Sequence, residues 1–271
     1  MFLLETMVQV IAPMAQPPVG FSFSPGGLLF PYSLGAAYAL RDAGLLTPAT
    51  PVGGSSAGAI VATALACEIS EEAMLMGLAR LVADVRGGDR LITALRRQLE
   101  LILPEDSPSL AAGRLTVCYR SVLPWPSAHL VTEWSSKGDL IDTVCASCNW
   151  PLFFSKWPLV WCRRSLAIDG YFALPRSRFG CPELRAERTV GVCCIPRMGD
   201  KVALDFSSEN LIQPSAHPCT QLPVDNSLWF GWALKPAADD ELKKMGELGR
   251  EHAMLWVERE RAAGRALVTA E

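Results

Sequence analysis

Histidine and charge are both scarce in this sequence, and each scarcity excludes a class of function. Only three of the 271 residues are histidine, and only 20% are Asp, Glu, Lys or Arg. The formal net charge is −3, and no dense basic stripe is present. A protein that binds nucleic acid needs such a stripe to neutralise phosphates, so nucleic acid is excluded as a partner.

Long uninterrupted hydrophobic runs are also lacking. No charged residue occurs between residues 6 and 40 or between residues 43 and 67, but prolines, glycines and serines break both stretches. Neither offers about twenty clean apolar residues, so we expect buried strands and turns rather than membrane spans. Residues 1–15 carry Glu5 and have no basic start, which makes them a poor secretory signal.

The nine cysteines have no metal-binding pattern. Cys145 and Cys148 have the CxxC spacing, but no second pair or histidine cluster follows at zinc-ligand spacing. The pair falls on one helical stripe with Leu140, Ile141 and Val144, which favours packing. Because the sequence also has no Asn-x-Ser/Thr site, we expect a reducing compartment, an intracellular protein, and no metal or cofactor.

Strand patterns alternate with helix patterns along the chain, which indicates an α/β fold. We expect strands at residues 21–24, 51–53, 114–122, 128–134, 159–168 and 189–195. We expect helices near residues 31–43, 57–67, 71–85, 91–102 and 139–148, then a loop over 196–223 and a final helix from Pro236. Reactive groups of such folds gather beyond the carboxyl ends of the strands.

Two short segments carry the chemistry. Residues 54–58, Gly-Ser-Ser-Ala-Gly, have the pattern of a nucleophile elbow, a sharp strand-to-helix turn that presents Ser56 to a cleft between Gly54 and Gly58. Asp169 follows the apolar run 166–168, where a strand is expected to end. A serine needs a base to become nucleophilic, and Asp169 is the first candidate. Together the segments predict an acyl-transfer enzyme.

Acyl transfer also needs hydrogen-bond donors for the oxyanion of its tetrahedral intermediate. Gly26 and Gly27, in a predicted strand-to-helix turn, offer backbone N–H groups that no side chain obstructs. A simple tight turn is the alternative for this pair.

The three histidines offer one alternative base. His252 lies on the apolar stripe of the last helix, where packing explains it, and His129 opens a strand. His217 follows Asp169 in the chain order of a Ser-Asp-His triad, so it is the alternative candidate.

The apolar positions of residues 91–102 recur at helical spacing, which predicts an amphipathic helix that packs on the core or, alternatively, serves as a lid or lipid-facing helix. Trp150, Trp157 and Trp161 precede Asp169 and suit a surface that touches lipid headgroups, although core packing is the ordinary explanation for each.

Three blocks in this order resemble the patatin-like phospholipases. They are residues 23–35, with the Pro-Gly-Gly turn, residues 54–59, with the elbow, and Ile168-Asp169-Gly170. The likeness covers about residues 20–197 and is strongest to the adiponutrin and adipose triglyceride lipase branch.

This resemblance implies a three-layer α/β/α fold with a central, mostly parallel sheet and a nucleophile elbow. It implies a Ser56–Asp169 dyad without histidine, and oxyanion donors at Gly26, Gly27 and Leu28. The implied division is an N-terminal segment at 1–20, a catalytic domain at 21–235 and a C-terminal helix at 236–271.

The implied substrates are acyl esters of phospholipids, galactolipids or acylglycerols, met at a lipid–water interface. We therefore expect a protein that is cytoplasmic or peripherally associated with a membrane or lipid droplet. Transacylation of the same lipids is one alternative, and a catalytically weak lipid-binding or regulatory protein is another.

Two positions depart from the family pattern. Pro25 has no N–H to donate, and Tyr171 stands where the family has a small residue. A bulky tyrosine there would reshape the cleft or contribute its hydroxyl.

Overall fold

The computed structural model describes residues 16–197 and 204–267. The segment 1–15, which the sequence marks as a poor secretory signal, lies outside the described residues. The final helix, α8 (Asp239–Ala262), lies within them.

The described strands form one central sheet. The strands are β1 (Val19–Phe23), β2 (Val52–Gly54), β3 (Leu115–Leu123), β4 (Ser127–Val131), β5 (Val160–Cys162), β6 (Ser165–Ile168), β7 (Arg188–Val192) and β8 (Leu211–Ile212). Their order is β5-β6-β3-β2-β1-β7-β8, with β4 also paired to β3. The neighbouring strands β3, β2, β1, β7 and β8 pair in parallel, whereas β4, β5 and β6 pair antiparallel with their neighbours. The expected α/β class with a central, mostly parallel sheet is confirmed.

The helices include seven besides α8: α1 (Phe30–Asp42), α2 (Ala57–Ala66), α3 (Glu71–Arg86), α4 (Leu91–Ile102), α5 (Ser107–Ala111), α6 (Lys137–Ser147) and α7 (Asn226–Leu234). Side-chain caps mark where three of them begin. Ser70, Ser136 and Asp225 each accept a hydrogen bond from a backbone N–H in the first turn, which satisfies a donor that the helix leaves unpaired.

The sequence did not predict α5, α7 or β8. Helix α7 has no amphipathic pattern, because its own apolar residues lie on all of its faces. It directly follows the predicted loop, and it covers part of the site that is described below.

Helix α8 packs along α1 and reaches the sheet. Trp256 meets the Phe21 ring of β1 edge to face, with 5.8 Å between ring centroids. The fully buried carboxylate of Glu260 accepts hydrogen bonds from Arg188 of β7, at 2.6 Å, and from Arg265. These contacts join the final helix to the first and seventh strands.

Candidate active site

Ser56 occupies a strained turn between β2 and α2. Its φ of 53° and ψ of −127° lie in a region that non-glycine residues rarely adopt, at a cost of about 1–3 kcal/mol. Gly54 and Gly58 permit the turn, because a Cβ at Gly58 would collide with the Phe23 carbonyl and one at Gly54 would lie 2.6 Å from it. The segment therefore has the backbone of a nucleophile elbow.

A serine from a distant helix holds this elbow. The Ser56 N–H donates to Ser147 Oγ, at the end of α6, over 2.9 Å. The hydroxyl of the neighbouring Ser55 donates to the Gly180 carbonyl over 2.6 Å. Sequence reasoning missed Ser147, because no local pattern signals a contact between residues 91 positions apart.

Asp169 follows the last residue of β6 and is fully buried. Its backbone N–H donates to the Asn149 carbonyl at 3.0 Å, and its Oδ1 accepts the Tyr171 N–H at 2.8 Å. Its Oδ2 is buried and has no hydrogen-bond partner among the described residues. One carboxylate oxygen is therefore positioned and the other is free to accept a proton.

Burial raises the pKa of Asp169 from 3.8 to about 7, and the Tyr171 N–H and the Ser56 hydroxyl both oppose that rise. The elbow and the aspartate segment adjoin, since a Cβ at Gly170 would lie 2.5 Å from Ser55 Cβ and 2.9 Å from Ser147 Oγ; no hydrogen bond between Ser56 and Asp169 is among the described contacts. A carboxylate with a pKa near neutrality can both take and return a proton.

The glycine-rich turn lies at the carboxyl end of β1, beside the elbow. The N–H groups of Gly26, Gly27 and Leu28 donate no hydrogen bond to any described residue, and a 3₁₀ turn spans Gly27–Leu29. Gly27 has a φ of +55°, and a Cβ there would collide with the Ala233 carbonyl of α7. The N–H of Ala57, which follows the serine, is also unpaired within the described residues and is a donor that the sequence analysis overlooked.

Pro25 and Tyr171, the two departures from the family pattern, both pack against identified neighbours. Pro25 packs close to Gly180, where its ring would lie 2.7 Å from an added Cβ. The Tyr171 ring lies in an aromatic group with Trp150 and Phe179, at centroid distances of 5.6 and 5.4 Å. Its hydroxyl makes no hydrogen bond to a described residue.

A mostly apolar pocket opens from Ser56, Gly27 and Leu28 and runs between α2, α3 and α4. It is narrow, with a cavity volume of about 40 Å³, well below the usual range of about 300–1,000 Å³ for ligand sites, so an acyl chain would have to widen it. Leu95 and Leu99 of α4 line it and are also core residues. Helix α4 thus packs on the core and forms a wall of the pocket at once.

Exposed apolar side chains lie beside a surface depression that shares Leu28, Leu91 and Phe154 with the pocket. Phe153 and Leu234 line this depression, and each exposes nearly half of its surface. Nearby in the chain, Leu152 and Trp157 are both 69% exposed. The depression therefore adjoins the pocket, in which Ser56 is only 4% exposed.

The histidines lie apart from Ser56 and Asp169. His252 is buried against Tyr32, whose hydroxyl is 2.9 Å from its Nδ1, and burial lowers the pKa of His252 to about 4. His217 lines a second cavity beside α8, and its Nδ1 accepts the Cys219 N–H. His129 stacks on Tyr119.

The structure gives two further findings on ligands and membranes. Within residues 16–197 and 204–267, no three His, Cys, Asp or Glu side chains gather as a metal site; Cys145 and Cys148 are both buried and unbonded. No helix of the described ranges has the length and apolarity to cross a bilayer.

Comparison with known families gives one match to a family model. Residues 21–177, more than half of the chain, match the patatin-like phospholipase model. This range contains both Ser56 and Asp169.

Three relatives match at similar identity. The mouse omega-hydroxyceramide transacylase is 34% identical over 165 residues, and the match covers 57% of this chain and 27% of the relative. The bovine patatin-like phospholipase domain-containing protein 2 is 32% identical over 49% of this chain and 29% of the relative. The human patatin-like phospholipase domain-containing protein 4 is 33% identical over 50% of this chain and 57% of the relative. The matches therefore span little more than half of these relatives at most.

Among solved structures, VipD from Legionella pneumophila superposes with a TM-score of 0.53 over 90% of this chain and 67% of its own. The two sequences are 13% identical, so this likeness concerns the fold.

Proposed function

The chain belongs to the patatin-like phospholipase family, and from that premise we propose that it is a lipid acyl hydrolase whose nucleophile is Ser56 and whose base is Asp169. The observation that carries the proposal is a strained serine whose elbow adjoins the segment of a buried carboxylate, the Oδ2 of which has no partner among the described residues. An apolar pocket opens from the same serine.

The proposed reaction proceeds through an acyl-enzyme. Asp169 Oδ2 takes the hydroxyl proton as Ser56 Oγ attacks the ester carbonyl carbon. The N–H groups of Gly26, Gly27 and Leu28 stabilise the oxyanion. The leaving alcohol receives the proton from Asp169, and a water activated by the same carboxylate then releases the acid.

The pocket and the exposed apolar side chains support a lipid substrate. An acyl chain would lie between α3 and α4 with its carbonyl carbon at Ser56, and Leu152, Phe153 and Leu234 would contact the lipid–water interface. Phospholipids, galactolipids and acylglycerols all present such chains. Peripheral contact of this kind needs no membrane span.

A transacylase is the second candidate. The acyl-enzyme transfers its acyl group to whichever hydroxyl reaches it, and a serine that is 4% exposed beside a fully buried carboxylate limits access of bulk water. The match to a protein named omega-hydroxyceramide transacylase favours the same alternative. Product analysis with an added long-chain alcohol separates an acylated acceptor from free acid.

The test is ester hydrolysis by the wild type, Ser56→Ala and Asp169→Asn, on a short-chain p-nitrophenyl ester and a lipid panel. We expect each variant to lose activity by about a hundredfold or more while remaining folded by circular dichroism. Activity retained in Asp169→Asn would move the base elsewhere, and His217 would be examined next.

Labelling with a fluorophosphonate separates an enzyme from a binding protein of the same fold. An activated Ser56 reacts covalently and Ser56→Ala does not. A wild type that neither reacts nor hydrolyses any ester would contradict the proposed function and favour a lipid-binding or regulatory role.

A further inference from the structure

The apolar pocket contains one buried carboxamide, Gln98. It lies on the inner face of α4 between Leu95 and Ile102, and its residue is only 5% exposed. Sequence reasoning gave this position no role. The remaining α3 and α4 side chains that line the pocket are aliphatic or methionine, apart from Gly77.

This carboxamide makes no hydrogen bond within the part of the chain that the structure describes. Gln98 Oε1 is buried without a hydrogen bond, and neither amide atom bonds to another described residue. Burying an unpaired amide opposes folding, and a methionine of similar length would avoid that cost. Packing alone therefore does not explain a glutamine here.

A bound water is a poor partner for Gln98. Buried waters usually make about three hydrogen bonds, and only Ser56 and Cys148 among the other described lining side chains carry polar atoms. Cys148 belongs to the reactive end of the pocket, since it follows Ser147, whose Oγ accepts the Ser56 N–H. A single hydroxyl attached to an otherwise apolar ligand meets both needs. It donates to Oε1 and accepts from Nε2, while the rest of the ligand remains in apolar surroundings.

We propose that the pocket is selective for acyl chains that carry an internal hydroxyl group, and that Gln98 is the residue that recognises this hydroxyl. The proposal rests on the proposed function, in that it names the acyl class which the Ser56 site receives. The described lining residues include no Asp, Glu, Lys or Arg, so a neutral hydroxyl suits the pocket better than a second carboxylate. A site whose buried amide pairs with a substrate hydroxyl discriminates against the analogue without it, because that analogue leaves the amide unpaired.

The first experiment measures binding without turnover. Ser56→Ala protein is titrated with stearic acid and with a series of monohydroxystearic acids that moves the hydroxyl along the chain, by displacement of a fluorescent fatty acid. We expect at least one hydroxy acid to bind about tenfold more tightly than stearic acid, equivalent to about 1.4 kcal/mol. The position of the hydroxyl in the preferred isomer shows how far along the acyl chain Gln98 makes its contact.

Variants of the lining test the assignment to Gln98. Adding Gln98→Met, or Gln98→Leu should the first fold poorly, should bring the ratio of the two affinities to about one. Leu101→Met is the control, because Leu101 lies on the same helix but is 63% exposed and outside the pocket, so this variant should keep the preference. Equal affinity in the Ser56→Ala protein, absence of binding by either acid, or a preference that persists in Gln98→Met would each overturn the inference.

Failure of this inference is distinguishable from failure of the proposed function. Fluorophosphonate labelling and short-chain ester hydrolysis do not require the deep part of the pocket. A protein that labels and hydrolyses short esters but binds both long acids equally retains the proposed function and loses the specificity.

Discussion

At the scale of single residues, the proposed mechanism makes the protonation of Asp169 decide activity, and the burial of its carboxyl links that protonation to stability. Its carboxyl is fully buried, receives one backbone N–H at Oδ1, and has a pKa raised to about 7 by burial. The proposed mechanism needs the ionised form as the base. The folded protein disfavours that same form.

The first prediction at this scale concerns activity against pH. We expect kcat/KM for a soluble ester to rise about tenfold per pH unit below pH 7 and to level off above it, as Asp169 loses its proton. Initial rates across a buffer series measure this profile. A flat profile between about pH 5 and pH 8 would contradict Asp169 as the base.

The second prediction concerns stability. A carboxyl whose pKa is higher in the folded state than in the unfolded chain stabilises the protein at low pH, and this stability is lost as pH rises from 3.8 through about 7. Asp169→Asn has no carboxylate to bury. Its free energy of unfolding should therefore exceed that of the wild type by an amount that grows with pH. We expect the difference to grow by about 2–3 kcal/mol between pH 5 and pH 8.

Urea unfolding at both pH values measures the stability difference. Glu260→Gln serves as a contrasting variant, because the arginine partners of Glu260 lower the pKa of that carboxyl. A constant difference between wild type and Asp169→Asn would show that Asp169 titrates alike in the folded and unfolded states.

At the scale of elements, α7 covers the glycine-rich turn. Trp229 of α7 is buried, and its Nε1 donates to the Cys194 carbonyl just beyond β7. The Ala233 carbonyl of the same helix lies where a Cβ on Gly27 would be. The turn therefore depends on a glycine for its positive φ and for its contact with the helix above it.

The prediction at this scale compares two glycines with the same backbone requirement. Gly27→Ala combines a φ of +55° with a collision against α7, so we expect it to displace the turn and to lower activity by about tenfold or more. Gly44→Ala is the matched control, since Gly44 has a φ of +80° and nothing within 4 Å of an added Cβ. It should cost about 1–2 kcal/mol of stability and leave activity unchanged.

Thermal unfolding and ester hydrolysis of both variants check this comparison. Similar loss of activity in the two variants would mean that backbone strain, and not the contact with α7, decides the outcome.

At the scale of the whole molecule, exposed apolar side chains gather on one side of the site. Leu152, Phe153 and Leu234 are 69%, 48% and 47% exposed, and the last two line the depression beside the pocket. Burying one such side chain in a lipid interface contributes about 1.5–3 kcal/mol. We therefore propose that this side of the molecule contacts lipid.

The prediction at this scale separates substrate delivery from chemistry. Leu152→Ser combined with Phe153→Ser should lower hydrolysis of phospholipid in vesicles by about tenfold and leave hydrolysis of a soluble short-chain ester nearly unchanged. Leu75→Ser is the control, because Leu75 is 50% exposed on α3 but outside the depression. Equal effects on both substrates would contradict a role at the interface.

The sequence by itself determined the α/β class and the placement of Ser56 and Asp169, the two proposed reactive residues, just after strand ends. Local patterns were sufficient, because each short apolar run is bounded by turn-forming residues, which favours a strand, and the residues that follow a strand end lie at the edge of the sheet. The three blocks that resemble the family likewise begin where a strand ends. The elbow needs small residues at Gly54 and Gly58 because β1 passes close by.

The tertiary structure alone decided which distant groups meet at that edge. Ser147 holds the elbow from α6, α7 covers the glycine-rich turn, and Gln98 turns inward from α4. The sequence does not show these contacts: α7 is apolar on every side, and nothing local distinguishes a buried Gln98 from an exposed one. Their roles depend on packing between segments far apart in the chain, and that packing is fixed only when the sheet and helices assemble around one core.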